Sequence, residues 1–368
     1  MKGIGLYIHI PFCETKCRYC DFLSFKPSDG DIYAYIKVLA NEIKNAEIKD
    51  KKIETVFIGG GNPGCLPPPS INCIFDALRG CDILPDAEIT FEANPGSLNR
   101  KKLELLLRCG VNRLSLGLQT TDAALLAAIG RSHSLQDFYD SYGNARDSGF
   151  SNINVDIMFS LPGQTSEHIV NTCEAVTRLD PEHISAYALI PEEGTAIKKM
   201  LDSGELTMPE DETDRAMYET IKRYMKNSGY IHYEISNFAK EGFFCRHNVS
   251  YWERGEYLGF GLGAHSFYEG ERYSNTADFK KYLIHNGDKD KITENRHIIN
   301  DKEATEETMF LGLRMLGGVF LTDKLADVYE KQIRSNISAG LLKLDGRMLS
   351  LTERGLDLAN LISADFLL

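Results

Sequence analysis

Three cysteines lie within eight residues near the N-terminus, at positions Cys13, Cys17 and Cys20. Their C-x3-C-x2-C spacing follows an apolar run that is typical of a β-strand, so one short loop presents all three thiols. Three thiolates can bind three irons of a [4Fe–4S] cluster, which normally has four cysteine ligands. The fourth iron is then open to a small molecule, which can chelate the cluster and receive an electron from it.

The spacing leaves two other interpretations open: a zinc site completed by a distant residue, and three unrelated cysteines. Zinc sites favour two C-x2-C pairs, and this chain has no second C-x2-C. The total of nine cysteines is odd, which argues against a closed disulfide framework. We therefore predict a [4Fe–4S] cluster bound by the three cysteines.

Apolar, strand-like runs alternate with helical patterns along the first part of the chain. Six successive βα units predict an α/β fold, a parallel sheet curled into a partial (βα)6, TIM-like barrel. Asp31 is the predicted N-cap of the first helix. The predicted strands are 6–10, 55–58, 88–93, 113–118, 152–159 and 183–189, and the predicted helices are 31–46, from 69 onward, 100–109, 121–129, 135–148, 166–178 and 211–227.

The alternation stops near residue 235, which predicts a barrel domain at 1–236 and a C-terminal region at 237–368. Residues 237–301 are rich in glycine, histidine and aromatic residues, and we expect them to be irregular. Residues 302–368 predict a mostly helical, winged-helix-like domain with a hairpin at Asp345-Gly346. Winged helices often bind DNA, but residues 303–368 carry 7 Lys+Arg against 10 Asp+Glu, which disfavours DNA.

The composition of the whole chain excludes several classes of partner. Its 368 residues include 41 Lys+Arg and 53 Asp+Glu, a net charge of −12 at pH 7. Such an acidic chain is a poor candidate for nucleic-acid or anionic-membrane binding. No apolar run approaches the roughly 18 residues of a spanning helix, and the N-terminus leads directly into a strand-like run. We expect a cytoplasmic protein with no signal peptide and no integral membrane segment.

The segment from Tyr7 to Phe22 resembles the radical S-adenosylmethionine (SAM) superfamily. It is most similar to the branch that contains oxygen-independent coproporphyrinogen III oxidase and the HemW-type heme chaperones, and the similarity extends over essentially the whole chain. The resemblance implies a radical SAM barrel whose open iron binds the amino and carboxylate groups of SAM. Reduction by an electron donor such as flavodoxin or ferredoxin then gives methionine and a 5′-deoxyadenosyl radical.

Candidate SAM-binding residues follow from strand ends and from this resemblance. Asp156 lies inside an apolar strand, where a carboxylate is costly unless a ligand, the backbone or an arginine satisfies it. The resemblance implies that Gln119 and Asp156 hold the ribose hydroxyls and that Arg131 meets the SAM carboxylate. Two positions depart from the family pattern, because Asn62 replaces a threonine and Ser160 stands where glycine is commoner. The other SAM-site residues that the resemblance implies are Tyr7, Tyr19, Gly60, Gly61, Asn62, Glu92 and Ala188.

A second motif, His247-Asn248-x-x-Tyr251-Trp252, matches the H-N-x-x-Y-W signature of HemW-like proteins and contains the only tryptophan. Histidine is a common axial ligand of heme iron, and aromatic side chains suit a porphyrin face. The chemistry alone favours a simpler interpretation, in which His247 and Trp252 pack an inter-domain junction. The match to the signature instead favours heme binding by these four residues, with Cys245 as a weaker candidate ligand.

Two features separate a chaperone from an oxidase. The oxidases carry a further cysteine two residues after the third motif cysteine, where this chain has Phe22, and a long N-terminal extension, whereas six residues precede Tyr7 here. We therefore predict a HemW-like chaperone that binds a cluster, SAM and heme, with heme as cargo for a recipient hemoprotein. The alternatives are an oxygen-independent coproporphyrinogen III oxidase and a non-catalytic zinc or interaction protein, so enzymatic activity stays an open question.

Overall fold

The structure, a computed structural model, describes residues 3–46, 48 and 51–367. Its centre is a parallel sheet of six strands, each followed by at least one helix, as the sequence predicts. The elements of this part are β1 (Ile4–Ile10), α1 (Asp29–Asn45), β2 (Lys52–Gly60), α2 (Pro68–Leu78), β3 (Asp82–Ala93), α3 (Arg100–Arg108), β4 (Arg113–Gln119), α4 (Ala123–Ala128), α5 (Leu135–Ser148), β5 (Ile153–Phe159), α6 (Ser166–Leu179), β6 (His183–Ala188), α7 (Ala196–Asp202) and α8 (Asp211–Asn227).

The six strands are hydrogen-bonded in chain order and all run parallel. Because parallel strands end at the same edge of a sheet, their C-terminal ends and following loops meet on one side. The sheet curls but does not close, since β6 pairs with a later antiparallel strand instead of returning to β1. The prediction of a partial α/β barrel is confirmed.

The first helix begins differently from the prediction. Ser28, and not Asp31, is the N-cap of α1. The Ser28 hydroxyl accepts a hydrogen bond from the Asp31 amide at 3.3 Å, and the Asp31 carboxylate accepts one from the Ser28 amide at 2.8 Å. This reciprocal pair is a capping box, in which the acidic residue three positions later satisfies the amide of the cap.

Residues 237–301 are ordered, which corrects the expectation of irregular structure. Their short strands extend the main sheet on both sides, because β8 pairs with β6 and β9 pairs with β1. Strands of three to six residues have too little alternation for a periodicity argument, and neighbouring strands supply their order. The strand β7 (Ile231–Glu234) comes just before this segment and pairs with β8. The elements of the segment are β8 (Asn237–Ala239), α9 (Arg246–Trp252), β9 (Tyr257–Phe260), β10 (His265–Tyr268), β11 (Glu271–Asn275), α10 (Phe279–Ile284), α11 (Lys289–Ile292) and β12 (Thr293–Ile298).

The last part of the chain forms a second, mostly helical unit with its own core around Met309, Tyr329 and Phe366. The predicted hairpin is present, with Asp345 paired to Met348 and Gly346 at a φ of 58°. No helix in the described part of the chain is both long and apolar enough to cross a bilayer. The elements are α12 (Asp301–Gly312), β13 (Val319–Phe320), α13 (Asp323–Val328), α14 (Glu330–Ser338), β14 (Leu342–Asp345), β15 (Met348–Leu351), α15 (Glu353–Leu356) and α16 (Ala359–Ala364).

A buried carboxylate joins α1 to the strands that extend the sheet. Glu42 accepts hydrogen bonds from the Tyr282 hydroxyl at 2.5 Å, the Asn275 side-chain amide at 2.7 Å and the Gly261 amide at 3.0 Å. Burial nevertheless raises the pKa of Glu42 to about 7, because the carboxylate has lost its contact with water.

This raised pKa predicts a pH-dependent stability. A raised folded-state pKa means that the contribution of Glu42 to the free energy of unfolding is full below about pH 4.5 and is lost as the pH rises through about 7. Between pH 5 and pH 8, the free energy of unfolding of wild type should fall by about 2 kcal/mol more than that of Glu42→Gln, which has no ionisable group at position 42. Anaerobic urea denaturation measures the difference. Tyr282→Phe keeps the carboxylate but removes a hydrogen bond that lowers its pKa, so its slope should be at least as steep as that of wild type. Equal slopes in wild type and Glu42→Gln would contradict the prediction.

Candidate functional site

A cavity of about 610 Å³ opens at the C-terminal ends of the parallel strands. Most residues predicted for the cluster, SAM and heme line it together, although they come from distant parts of the chain. Tyr7, Asn62, His247 and Tyr251 are described by the structure but lie outside this lining. The predicted residues that line the cavity are Cys13, Cys17, Tyr19, Cys20, Gly60, Gly61, Glu92, Gln119, Arg131, Asp156, Ala188, Asn248 and Trp252.

The cysteine loop, residues 11–25, follows β1 and is held at its base and at its middle. The Cys13 amide donates a hydrogen bond to the Phe25 carbonyl at 3.0 Å, which closes the base. The Arg18 amide donates to the Ile129 carbonyl at 2.9 Å, which ties the middle of the loop to the end of α4. The three thiols therefore project into the cavity from a backbone fixed on two sides.

The thiols lie in surroundings that suit iron binding. Burial raises the pKa of Cys13 to about 11 and also raises the pKa of Cys20, so both stay protonated until a metal supplies positive charge. A guanidinium nitrogen of Arg131 lies 3.5 Å from Cys17 Sγ. Within the described residues, no three His, Cys, Asp or Glu side chains are placed to hold a single metal ion.

Two carboxylates face the cavity across from the cysteine loop. Glu92 accepts a hydrogen bond from the Gly60 amide at 3.2 Å, and burial and the nearby Asp156 charge raise the pKa of Glu92 to about 7. Asp156 accepts bonds from Asn154 Nδ2 at 2.7 Å and Ser115 Oγ at 3.2 Å, but burial still raises its pKa. Hydroxyl groups or positive charge on a ligand would stabilise both ionised carboxylates.

Gln119 and Arg131 complete this wall. Gln119 ends β4 with a φ of 71°, a left-handed conformation that is strained for a residue with a side chain, and the Tyr187 hydroxyl donates to its Oε1 at 3.0 Å. Arg131 donates to the Gly117 carbonyl at 2.6 Å, while its buried Nε has no partner. Such an unpartnered donor at a cavity fits an anionic group of a ligand.

Ser160 has a φ of 60°, which explains why glycine is commoner at that position.

The glycine segment after β2 forms a close-fitting part of the wall. A Cβ on Gly61 would lie 2.6 Å from the Phe12 carbonyl oxygen and 3.0 Å from Cys13 Sγ, so a side chain there would displace the cysteine loop. Asn62 points elsewhere: its side-chain oxygen accepts a hydrogen bond from the Asn94 amide at 3.1 Å and links two strand-end loops. The departure from threonine therefore falls at a residue that shapes the wall without lining it.

Tyr7 also stands behind the cavity. Its hydroxyl lies 2.9 Å from His9 Nδ1, and His9 Nε2 lies 2.8 Å from the Leu23 carbonyl oxygen. Together they connect β1 to the far side of the cysteine loop. In this structure Tyr7 supports the loop and does not face the SAM side of the cavity.

The H-N-x-x-Y-W signature forms α9, and its four residues divide between two faces. Asn248 and Trp252, four residues apart, line the cavity, whereas His247 and Tyr251 face the sheet. The ring of His247 lies 5.2 Å from the ring of Phe57 in a stacked arrangement. The signature thus presents one pair of side chains to the cavity and uses the other pair for packing.

His247 packs against the sheet in this structure, and its role as an axial heme ligand stays a prediction. It is 1% exposed, with Nδ1 2.7 Å from Thr55 Oγ1 and Nε2 2.8 Å from the Tyr251 hydroxyl. Burial lowers the pKa of His247 to about 3, so it is neutral. The Cys245 thiol is also buried and donates to Glu88 at 3.6 Å, with its pKa raised by burial to about 12. Neither side chain offers iron a free donor atom.

A buried polar network beneath Asp156 was missed by the sequence analysis. The side-chain oxygen of Asn154 lies 2.6 Å from His183 Nδ1 and accepts a bond from Ser185 Oγ at 3.1 Å, and His183 Nε2 lies 2.8 Å from the Tyr233 hydroxyl. This network fixes the orientation of the Asn154 amide that donates to Asp156. Its signal in the sequence is the alternation of polar residues along β5 and β6, which marks an inward polar face.

The cavity residues fit the two cofactors that the cysteine motif implies. Three thiols on one fixed loop match a cluster with one open iron, and the glycine wall leaves space beside Cys13. The unpartnered Arg131 nitrogen suits a carboxylate, and Gln119 and Asp156 suit hydroxyl groups. The opposed Glu92 and Asp156 suit a ligand that carries positive charge, as SAM does.

Comparisons with known proteins identify the family of this chain. The family model described as the radical SAM superfamily matches residues 7–176, and the one described as the HemN C-terminal domain matches residues 299–358. The heme chaperone HemW of Lactococcus lactis is 37% identical over 376 residues, which covers 100% of this chain and 98% of that protein. The heme chaperone HemW of Bacillus subtilis is 39% identical over 318 residues and covers 85% of this chain and 84% of that protein.

The same overall fold occurs in a solved structure. Coproporphyrinogen III oxidase (HemN) from Escherichia coli, described as a radical SAM enzyme, superposes with a TM-score of 0.84 and covers 99% of this chain and 90% of that one. Its sequence identity is 20%, so this likeness shows the fold alone. The HemW relatives are matched along most of their length at well over 30% identity, and the radical SAM family model covers the segment that holds the cysteine loop. The chain therefore belongs to the radical SAM superfamily, in the family of the HemW heme chaperones.

Proposed function

We propose that this protein is a heme chaperone that binds a [4Fe–4S] cluster, SAM and heme, and delivers the heme to a recipient hemoprotein. The observation that carries the proposal is that Asn248 and Trp252 of the H-N-x-x-Y-W signature share one cavity with the three motif cysteines. Heme in this cavity would lie beside the cluster and SAM. The names of the HemW relatives support the same cargo.

The residues of the cavity have distinct roles in this proposal. Cys13, Cys17 and Cys20 bind three irons, and Arg131 binds the SAM carboxylate. Gln119 and Asp156 hold the ribose hydroxyls, while Glu92, Tyr19 and Ala188 complete the SAM wall. When bound, the reduced cluster and SAM supply the one-electron chemistry of the superfamily, with flavodoxin or ferredoxin as the class of electron donor.

Phe22 supports the chaperone over the oxidase. It occupies the position at which the resembling oxidases carry a further cysteine, and its side chain is 62% exposed at the cavity rim. An apolar rim residue can contact a porphyrin but cannot act as a thiol. A SAM-radical oxidative decarboxylation of coproporphyrinogen III remains the alternative that the experiments below distinguish.

The cluster assignment predicts the effect of single cysteine substitutions. After anaerobic reconstitution, wild type should contain about four irons per chain and show a broad absorbance at about 400 nm. Alanine at any one of Cys13, Cys17 or Cys20 should abolish both, because the remaining two thiolates cannot retain the cluster. Iron analysis and absorbance spectra measure the result.

Cys65→Ala is the matched control for these variants. The Cys65 thiol lies 3.9 Å from the Phe12 carbonyl oxygen, next to the loop but outside the cavity lining, and burial raises its pKa to about 12. This variant should keep a full cluster. Loss of iron from Cys65→Ala, or uptake of one zinc with no iron by wild type, would contradict the assignment.

The SAM assignment predicts a binding defect without loss of the cluster. Each hydrogen bond to a charged group contributes about 1.5–3 kcal/mol, so Asp156→Ala should weaken SAM binding by roughly ten- to a hundred-fold. Equilibrium binding of SAM to the reconstituted protein measures this change. Asp76→Ala, an exposed acid on α2, is the control for loss of a charge and should bind SAM as wild type does. Unchanged affinity in Asp156→Ala would remove Asp156 from the site.

Heme transfer and decarboxylation, assayed in parallel, test the proposed function. Wild type should bind heme and pass it to an apo-hemoprotein, and should not release carbon dioxide from coproporphyrinogen III. Trp252→Ala should lower heme affinity about ten-fold or more, because an aromatic wall of the cavity is lost. Tyr251→Phe removes only a buried hydroxyl next to His247 and should leave heme affinity and its spectrum unchanged. SAM-dependent decarboxylation by a wild type that does not retain heme would replace the chaperone with the oxidase.

A further inference from the structure

The cavity has one arginine at each end. Arg131 lies beside the cysteine loop, and Arg314 enters from the segment that follows α12. Within the described lining these are the only basic side chains, set among several carboxylates. Because the proposed function assigns Arg131 to the carboxylate of SAM, Arg314 is left for a different anionic group.

Arg314 is held in place from three sides. Its guanidinium carbon lies 4.3 Å from the centroid of the Trp252 ring, and its Nη2 lies 3.7 Å from Glu234 Oε2. Its backbone carbonyl accepts a hydrogen bond from the Ile235 amide at 3.1 Å, so the segment around Arg314 pairs with the end of β7. The guanidinium is therefore presented to the cavity at a fixed position where the barrel meets the C-terminal unit.

Hydrogen-bonding groups at this end of the cavity are unsatisfied. In the described part of the chain the Arg314 guanidinium donates no hydrogen bond, and its Nε and the Trp252 Nε1 are buried without partners. Glu234 Oε2, which is ion-paired with Arg314, and Asn237 Oδ1 also accept no hydrogen bond, on side chains that are almost fully buried. Buried polar groups in native proteins are nearly always hydrogen-bonded, so a cluster of exceptions at a cavity wall indicates a ligand position.

The chemistry of this end defines the ligand. A guanidinium binds a carboxylate with two parallel hydrogen bonds, and an indole N–H adds a third donor. Elsewhere on the rim of the same cavity, the apolar residues Phe22 and Ile190 are 62% and 63% exposed. The site thus suits a molecule with a large apolar body and a carboxylate at its edge.

We propose that Arg314, supported by Trp252, binds a propionate carboxylate of the tetrapyrrole. This inference rests on the proposed function and names the group by which the cargo is recognised. It places the carboxylate at the junction between the barrel and the C-terminal unit, and the ring toward the apolar rim. Glu234 and Asn237 then act as positioning residues that hold the arginine and the neighbouring loop.

The test compares iron protoporphyrin IX with its dimethyl ester, which has the same ring and no carboxylate. Wild type should bind the free acid more tightly than the ester. Arg314→Gln should weaken binding of the free acid by about ten- to a hundred-fold and leave binding of the ester unchanged, so that the preference disappears. Arg314→Lys keeps the charge but loses the paired hydrogen bonds, so its affinity for the free acid should lie between those of wild type and Arg314→Gln.

The control is Arg246→Gln on the outward side of α9, where Arg246 donates to the Asp86 carbonyl outside the cavity. It should behave as wild type, and SAM binding by every variant checks that the barrel is folded. If Arg314→Gln weakened binding of the acid and of the ester equally, or weakened neither, the inference would be overturned. Heme binding by wild type, and with it the proposed function, would still stand. Binding of neither compound by wild type would instead overturn the proposed function, and the inference with it.

Discussion

The pairing of β1 with two parallel neighbours determines where the functional groups meet. Leu6 of β1 is in register with Val56 of β2 on one side and with Leu258 of β9 on the other. The cysteine loop leaves the end of β1, and α9 precedes β9 by a short connection. Two motifs more than two hundred residues apart in the chain therefore face one cavity. The helices and the remaining strands keep that central strand in place.

The ionisable side chains inside the open barrel differ in how well their surroundings stabilise them when no cofactor is bound. The carboxylates of Glu92 and Asp156 have raised pKa values because they are buried close together, and the Asn154 network only partly offsets this effect. His247, in contrast, is buried where both its nitrogens have partners, so it stays neutral. The two carboxylates therefore remain poorly stabilised as ions despite their hydrogen bonds, whereas His247 needs no further partner.

Sequence reasoning found the repeating part of the architecture and the chemistry of the cysteines. Long apolar strands and amphipathic helices carry a clear period, and α5 and α8 have the predicted bounds. The short strands of residues 237–301 carry no clear period, because β8 and β9 are ordered by pairing with β6 and β1. The placement of Asp156 and Gln119 could be predicted, since Asp156 interrupts an apolar strand, Gln119 ends one, and a family resemblance named both.

The signature on α9 marks the limit of that reasoning. A helix presents residues on all sides, and the motif alone cannot say which side meets a cavity. The structure divides it, with Asn248 and Trp252 toward the cavity and His247 and Tyr251 toward the sheet. Arg314 had no signal in the sequence at all, because its place depends on the backbone pairing of two distant segments. Such residues can be identified only from a structure, which shows where hydrogen-bonding groups lack partners.

The central position of β1 also has a consequence for biosynthesis. The cysteine loop that follows β1 is translated well before the second neighbour of that strand, β9, which ends at Phe260. The nascent loop therefore exposes three thiols to the solvent for as long as it takes to translate some 240 further residues. Only after that point can the cavity wall close around them. We therefore expect that a cluster can be enclosed only after β9 has been translated, and that the loop is most open to oxidation before then.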